Sequence, residues 1–116
     1  MKVYLAGPMT GIPFYNYPAF VDAATTLRAI GHEVFSPAER DIEREGRNFF
    51  FECPTGREAV DGFSRRTALG DDLEYICRHA DGIAMLPGWE ASSGARAEHA
   101  AAMALNLEFI YIARTL

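Results

Sequence analysis

KVYLAG (residues 2–7) and HEVFSP (residues 32–37) flank a helical stretch, and together these segments decide the fold. KVYLAG is a short apolar run that ends at Gly-Pro, which predicts a buried strand. The stretch AFVDAATTLRAIG (19–31) repeats its apolar residues at helical spacing, and Gly31 suits a helix C-terminus. HEVFSP is a second apolar run, ended by proline. A strand, a helix and a strand over residues 2–37 predict a βαβ unit, whose strands are parallel.

The rest of the chain continues this alternation of helix and strand. RTALGDDLEYICRHA (66–80) and SSGARAEHAAAMALN (92–106) have helical spacing, whereas DGIAMLPG (81–88) and LEFIYIA (107–113) are strand-like apolar runs. The order predicts a single domain over residues 1–116. Its expected class is α/β, a three-layer α/β/α domain on a mostly parallel sheet, Rossmann-like or flavodoxin-like.

Residues 38–66 lack a clear period and are expected to form an insert or a lid. AERDIEREG favours a short polar helix, and the following segment mixes aromatic, Gly, Pro and charged residues. The three consecutive residues Phe49 to Phe51 have two interpretations. They cover a pocket or a neighbouring subunit, or they fill the core.

Composition excludes several classes of protein. The net charge of −5 argues against binding of a nucleic acid polymer, which requires a basic face. No apolar run approaches the ~20 residues of a membrane span, and no signal peptide is recognisable. Cys53 and Cys77 form no CxxC motif, so two reduced thiols in a cytoplasmic protein are expected. The three His residues lack metal-ligand spacing, and we expect neither a metal nor an organic cofactor.

Two glycine-bearing loops are expected at one edge of the sheet. GPMTG follows the first strand and GWEASSG follows the third, and ligands of such sheets bind beyond the carboxyl ends of the strands. Neither loop matches a known phosphate-binding signature. The helix after the second loop offers free N–H groups to an anion.

Glu98 interrupts the apolar stripe of the 92–106 helix. The residues three, four and seven positions after it are apolar and share its face. A capping box does not explain it, because neither Ser92 nor Ser93 has a Glu three residues later. Two interpretations stay open: a solvated Glu on the helix flank, or a carboxylate directed into the pocket as a nucleophile.

A second acid is expected on the 66–80 helix, because a carboxylate that acts as a nucleophile or stabilises an oxocarbenium ion usually works with one. Asp72 lies on the shoulder of the apolar stripe, whereas Asp71 points nearly opposite and is expected to be solvated. Asp72 is therefore the candidate acid. Its simpler alternative is a first-turn carboxylate that stabilises its own helix dipole.

These motifs resemble the nucleoside 2-deoxyribosyltransferase superfamily, which includes the 2′-deoxynucleoside 5′-monophosphate N-glycosidases. The resemblance is carried by VYLAGPMTG (3–11), by the Asp in DDLEYICRHAD (71–81) and by PGWEASSGARAE (87–98). It covers most of the chain but not residues 38–66.

The resemblance implies a role for several residues. Glu98 would attack C1′ and form a glycosyl-enzyme, Asp72 would assist departure of the base, and Tyr4 would orient the nucleophile. A buried core aromatic is the alternative for Tyr4. Gly7 and the loop Met9–Gly11 would form the wall around the sugar and base.

Ser92 stands at the position that separates two activities in this family. Deoxyribosyltransferases carry an Asp there for the 5′-hydroxyl, and nucleotide N-glycosidases carry a Ser for the 5′-phosphate. Ser92, Ser93 and Gly94 at a helix start suit a phosphate, and Arg96 would add a charge-assisted contact. N-capping is the simpler role of the serines and is compatible with phosphate binding.

The expected function is hydrolysis of the N-glycosidic bond of a (deoxy)nucleoside 5′-monophosphate. The alternatives are base exchange by a nucleoside 2-deoxyribosyltransferase and a non-catalytic nucleotide-binding domain. The final residues IYIARTL contain no Asn, which the transferases place near this end, so hydrolysis is favoured over exchange. The resemblance also implies a homo-oligomer, a dimer or larger, with a small-molecule nucleotide or nucleoside as ligand.

Overall fold

The computed structural model describes residues 1–114, so residues 115 and 116 of the predicted domain lie outside it. The strands are β1 (Lys2–Ala6), β2 (Glu33–Phe35), β3 (Gly82–Met85) and β4 (Glu108–Tyr111). The α-helices are α1 (Tyr17–Ala29), α2 (Pro37–Glu45), α3 (Arg65–Arg78) and α4 (Ser93–Ala104). Each strand and helix predicted from sequence is present, with ends shifted by a few residues. The short polar helix expected after residue 37 is α2.

The four strands form one parallel sheet in the order β2-β1-β3-β4. The α/β prediction is confirmed, and the sheet is parallel at every pairing rather than mostly parallel. After β1 the chain moves to one side to form β2, then crosses back over β1 to form β3. The direction of winding therefore reverses between β1 and β3, which is where a ligand crevice is expected in such sheets.

β1 divides the interior into two cores by its alternation. Val3 and Leu5 pack in a core with α1, whereas Tyr4 and Ala6 pack in a second core with α3 and α4. All four side chains are fully buried. Because successive side chains of a strand point to opposite faces, helices cover both faces of the sheet and produce three layers. The same alternation directs Tyr4 toward α4.

Residues 46–64, which we call the cover segment, join α2 to α3 and account for most of the predicted insert. The segment is fixed to the loop after β1 by two backbone hydrogen bonds, Gly11 N–H to Gly56 O at 2.8 Å and Phe14 N–H to Cys53 O at 2.9 Å. Phe49 and Phe50 are buried in the α1 core, as the second interpretation of the aromatic run predicts, while Phe51 is 71% exposed.

Cys53 and Cys77 are both free thiols, the first buried and the second exposed. Within residues 1–114, none of the helices combines the length and the apolar character needed to cross a membrane.

Gly56 is the residue of the cover segment that we expect to tolerate substitution least. Its φ is +74°, and a Cβ there would lie 1.9 Å from the carbonyl oxygen of Ile12. Gly56→Ala should therefore lower the free energy of unfolding by about 2 kcal/mol or more. Gly70→Ala is the control, because Gly70 lies inside α3 with nothing within 4 Å of its Cβ position. That change should raise stability by about 0.5–1 kcal/mol. Urea denaturation measures both, and equal effects would contradict the assigned backbone contact.

Candidate functional site

The loops after β1 and β3 meet closely at the point where the winding reverses. Leu86 N–H donates to the Ala6 carbonyl at 2.8 Å. A Cβ on Gly7 would lie 2.6 Å from the Leu86 Cβ, so only glycine permits this approach without a shift. The two glycine-bearing loops predicted from sequence therefore do open at one edge of the sheet.

A cavity of about 450 Å³ lies at this edge. The cover segment forms one wall and the start of α4 forms the opposite wall. Of the residues predicted to form the site, the structure brings seven together around the cavity: Tyr4, Gly7, Met9, Asp72, Ser92, Gly94 and Glu98. The aromatic wall consists of Tyr15, Phe49, Phe50 and Phe63, and Phe49 and Phe50 belong to the run that was expected either to cover a pocket or to fill the core.

Glu98 is buried in the cavity wall and bonded to the central strand. The Tyr4 hydroxyl donates to Glu98 Oε2 at 2.7 Å, and Glu98 is only 6% exposed. The sequence left two interpretations of Glu98 open, and the solvated one is excluded by this burial. Tyr4 is a buried core aromatic, and its hydroxyl also bonds Glu98; its role in orienting a nucleophile stays a prediction.

Asp72 reaches the same cavity from α3. It is 6% exposed, and among residues 1–114 its Oδ1 atom has no hydrogen-bond partner. Buried carboxylate oxygens nearly always have a partner, so Asp72 Oδ1 retains the capacity to accept a hydrogen bond from a donor in the cavity. The prediction that Asp72 faces inward is confirmed.

Asp71 differs from its prediction, which placed it in solvent. Its side chain is 30% exposed and accepts from Arg44 at 2.8 Å, with Arg40 at 3.4 Å. The helical angle was correct for Asp71, but α2 packs against that side of α3 and supplies two guanidinium groups. The spacing of residues within α3 does not show that α2 covers the side of the helix on which Asp71 lies.

Asp41 is a third buried carboxylate in the cavity wall, and the sequence reasoning missed it. It lies on α2, is 4% exposed and accepts from Arg44 Nη1 at 2.9 Å. Like Glu98, Asp41 is an acid on an apolar helical face, because it shares that face with the buried residues Pro37 and Ala38. A nine-residue polar helix gave too short a stripe to reveal it.

Burial raises the pKa of each of the three carboxyl groups. The pKa of Glu98 rises to about 8, with the Asp72 charge adding to burial and the Tyr4 hydrogen bond opposing it. Burial and the charge of Asp41 raise the pKa of Asp72 to about 7. Burial raises the pKa of Asp41 to about 6, against the lowering effect of Arg44. Near pH 7 the Glu98–Asp72 pair therefore retains at least one proton.

The start of α4 lines the cavity with Ser92 and Gly94. Ser92 Oγ accepts from the Ala95 N–H at 3.2 Å, so its predicted N-capping role is confirmed. Ser93 Oγ accepts from Arg65 Nη2 at 2.8 Å. Ser92 and Arg65 also line a neighbouring cavity of about 940 Å³, which places them at the junction of the two.

Three predicted residues do not line the 450 Å³ cavity, and one cation was overlooked. Arg96 is exposed and lines neither cavity. Ser93 lines only the larger cavity. The Gly11 N–H donates to the Gly56 carbonyl in the cover segment. Arg65 takes the place expected of Arg96. It lies at the start of α3, far from Ser93 in sequence, and no local pattern links the two.

No group of three or more His, Cys, Asp or Glu side chains within residues 1–114 is arranged to hold a metal ion.

The raised pKa values predict how stability depends on pH. The folded state binds protons at Glu98 and Asp72 that the unfolded chain releases near pH 4. The free energy of unfolding should therefore fall as pH rises from about 4 to 8. Glu98→Gln removes one of these groups, so at pH 8.5 we expect this variant to be more stable than the parent by about 1–3 kcal/mol.

Urea denaturation at pH 5 and pH 8.5 measures this effect, with Glu90→Gln as the control. Glu90 is exposed, so its substitution should leave the pH dependence of the parent unchanged. A Glu98→Gln variant whose stability falls with pH as steeply as that of the parent would contradict the burial of an ionisable group there.

Comparison with known proteins identifies the family of the chain. No curated protein and no solved structure matches it. Residues 1–111 match the family described as domain of unknown function (DUF4406). Since this match covers nearly all of the chain, the protein belongs to the DUF4406 family.

Proposed function

We propose that the protein hydrolyses the N-glycosidic bond of a (deoxy)nucleoside 5′-monophosphate through a glycosyl-enzyme on Glu98. The observation that carries the proposal is the 2.7 Å hydrogen bond from Tyr4 to Glu98 Oε2, inside a cavity that also holds Asp72 Oδ1, an atom with no hydrogen-bond partner in the described part of the chain. A cavity of about 450 Å³ lies in the range of small-molecule sites. The resemblance of VYLAGPMTG and PGWEASSGARAE to the deoxyribosyltransferase superfamily supports the same assignment.

Glu98 is suited to be the nucleophile. The hydrogen bond from Tyr4 occupies Oε2 and orients the carboxylate, which leaves Oε1 as the attacking oxygen. In the first step Oε1 forms a bond to C1′, and the bond from C1′ to the base nitrogen breaks with its electron pair on the base. Positive charge that develops at C1′ in the transition state is stabilised by the adjacent carboxylate.

Asp72 is suited to supply the proton that the departing base needs. In the second step, ionised Asp72 takes a proton from water, which attacks C1′ and releases Glu98 as a carboxylate. Burial raises the pKa of both Glu98 and Asp72, so near pH 7 the two carboxyl groups share a proton. A substrate whose C1′ becomes cationic beside Glu98 lowers the pKa of Glu98 and so transfers the shared proton to Asp72.

Ser92, Gly94 and Arg65 are suited to hold the 5′-phosphate. The first N–H groups of α4 lack partners within the helix, and the helix dipole favours an anion at this end. Arg65 adds a positive charge that reaches Ser93 at 2.8 Å. The sugar phosphate would then lie at the junction of the two cavities, with the base toward Asp72 and the aromatic wall.

A homo-oligomer and a cytoplasmic location complete the proposal. Both rest on the sequence alone, the first on the family resemblance and the second on the two reduced cysteines.

Glu98→Gln tests the nucleophile. The variant should fold and lose more than about 100-fold in rate, because an amide oxygen does not replace a carboxylate in attack at C1′. A 2-fluoro-sugar nucleotide should add its glycosyl mass to Glu98 in the parent. Chromatography of a nucleotide panel measures the products, free base and sugar phosphate.

Tyr75→Phe is the matched control for a Tyr4→Phe variant. Both rings belong to the same aromatic cluster, but only the Tyr4 hydroxyl bonds Glu98. Tyr4→Phe should slow cleavage, whereas Tyr75→Phe should not.

Near-normal turnover by Glu98→Gln would refute the mechanism, and formation of a new nucleoside would show base exchange instead.

The phosphate end is tested by changing Ser92. Monophosphates should be preferred over the matched nucleosides by about 100-fold in kcat/KM, about 3 kcal/mol, as expected for two or three charge-assisted hydrogen bonds. Ser92→Asp should reduce or reverse this preference, because its carboxylate repels the phosphate. Ser92→Asn is the control, since Asp and Asn both cap helices and differ in charge. A parent that cleaves nucleosides as fast as monophosphates would remove the phosphate site from the proposal.

A further inference from the structure

The base end of the cavity contains more hydrogen-bonding capacity than glycosidic cleavage alone requires. One acid suffices to protonate a departing base, yet Asp41 and Asp72 both line the cavity and both are at least 94% buried. Asp72 Oδ1 has no partner among the described residues. Asp41 uses Oδ1 for its bond with Arg44 Nη1 at 2.9 Å.

Arg44 favours the ionised form of Asp41, in which the carboxylate only accepts hydrogen bonds. Its guanidinium is held by two carboxylates, with Nη1 on Asp41 and Nη2 on Asp71 at 2.8 Å. This pairing favours the ionised form of Asp41 despite its burial. An ionised carboxylate accepts hydrogen bonds and donates none, so the side of the cavity at Asp41 selects a ligand group that donates.

The aromatic side chains identify what kind of ligand group would meet these acids. Phe49 and Phe63 lie with ring centres 5.8 Å apart, and both line the cavity with Phe50 and Tyr15. Aromatic side chains contact nucleobases with little preference for sequence or base type. Discrimination between bases must then come from polar groups, and Asp41 is the buried polar group of the cavity that the cleavage steps do not use.

We propose that Asp41 is a specificity-determining residue that accepts a hydrogen bond from an exocyclic amino group of the base. The inference rests on the proposed function, because it takes the ligand to be a nucleotide and Asp72 to be its proton donor. Asp72 protonates a ring nitrogen, and Asp41 accepts from the amino group next to that nitrogen. Adenine has this arrangement at N7 and its 6-amino group, and cytosine has it at N3 and its 4-amino group.

Bases with a carbonyl at the same position are disfavoured. Hypoxanthine and uracil place an oxygen acceptor where adenine and cytosine place a donor. Two acceptors facing each other in a buried site repel and leave both without a partner. The chemical class of substrate is therefore a nucleotide of an amino base, with the oxo bases as the rejected class.

The test compares adenosine with inosine 5′-monophosphate, and cytidine with uridine 5′-monophosphate, with the 2′-deoxy forms in parallel. The parent should prefer the amino member of a pair by about 30-fold or more in kcat/KM. Asp41→Asn should reduce that ratio about tenfold or more, because its amide group donates to a carbonyl oxygen. The matched control is Glu43→Gln, which removes the same charge from an exposed position of the same helix and should leave the ratio unchanged.

The ratio of kcat/KM between the amino and the oxo nucleotide of a pair distinguishes base selection by Asp41 from a purely structural role. If Asp41 only anchors Arg44, both members of a pair lose rate equally and the ratio stays constant, which would overturn the inference. A parent that hydrolyses amino and oxo nucleotides alike would also overturn it and leave the hydrolase proposal intact.

Binding decides the inference if no nucleotide is cleaved, an outcome that counts against the proposed function. Calorimetric titration with adenine and with hypoxanthine should then show tighter binding of adenine to the parent, and a smaller difference in Asp41→Asn. Equal affinity of the parent for the two free bases would refute the role of Asp41.

Discussion

The hydrogen bond between Tyr4 and Glu98 joins the centre of the sheet to the helix that carries the candidate nucleophile. It links residues 94 positions apart in sequence, and both are buried. Tyr4 has one neighbouring strand on each side and no exposure to solvent, so its hydroxyl has few directions available. The bond therefore fixes the carboxylate relative to β1 and, through β1, relative to the loop at Gly7. The geometry of the cavity depends on this contact.

Three buried acids around one cavity are unfavourable for stability. Each acid loses hydration on folding, and the charges of neighbouring acids repel one another. Both effects raise the pKa values of these carboxyl groups. Arg44 compensates Asp41, and Tyr4 compensates Glu98, whereas Asp72 Oδ1 has no hydrogen-bond partner among the described residues. Proteins retain such strained electrostatics mainly at functional sites, where a ligand supplies the missing partner.

Much of the fold followed from periodicity in the sequence. The apolar runs at 2–7 and 32–37 with a helical stretch between them predict a parallel pair, because a connection of that length crosses over the sheet. Glu98 and Asp72 were found as acids on apolar helical faces, and both are buried as that pattern implies. Arg65 gave no such signal. Its contact with Ser93 joins the starts of two different helices, and nothing local in either sequence predicts how far apart those helices lie.

The sequence by itself determined the order of strands and helices, the position of the two glycine-bearing loops and two of the three acids that face the cavity, Glu98 and Asp72. These are local properties, since each depends on the spacing of residues along one element. Only the tertiary structure decided which elements are neighbours. It placed α2 against α3, so that Asp71 is paired rather than solvated and Asp41 enters the cavity, and it folded residues 46–64 over the sheet edge as an aromatic wall. The physical reason is that packing between elements depends on the shape and charge of both partners, and a pattern within one element contains only half of that information.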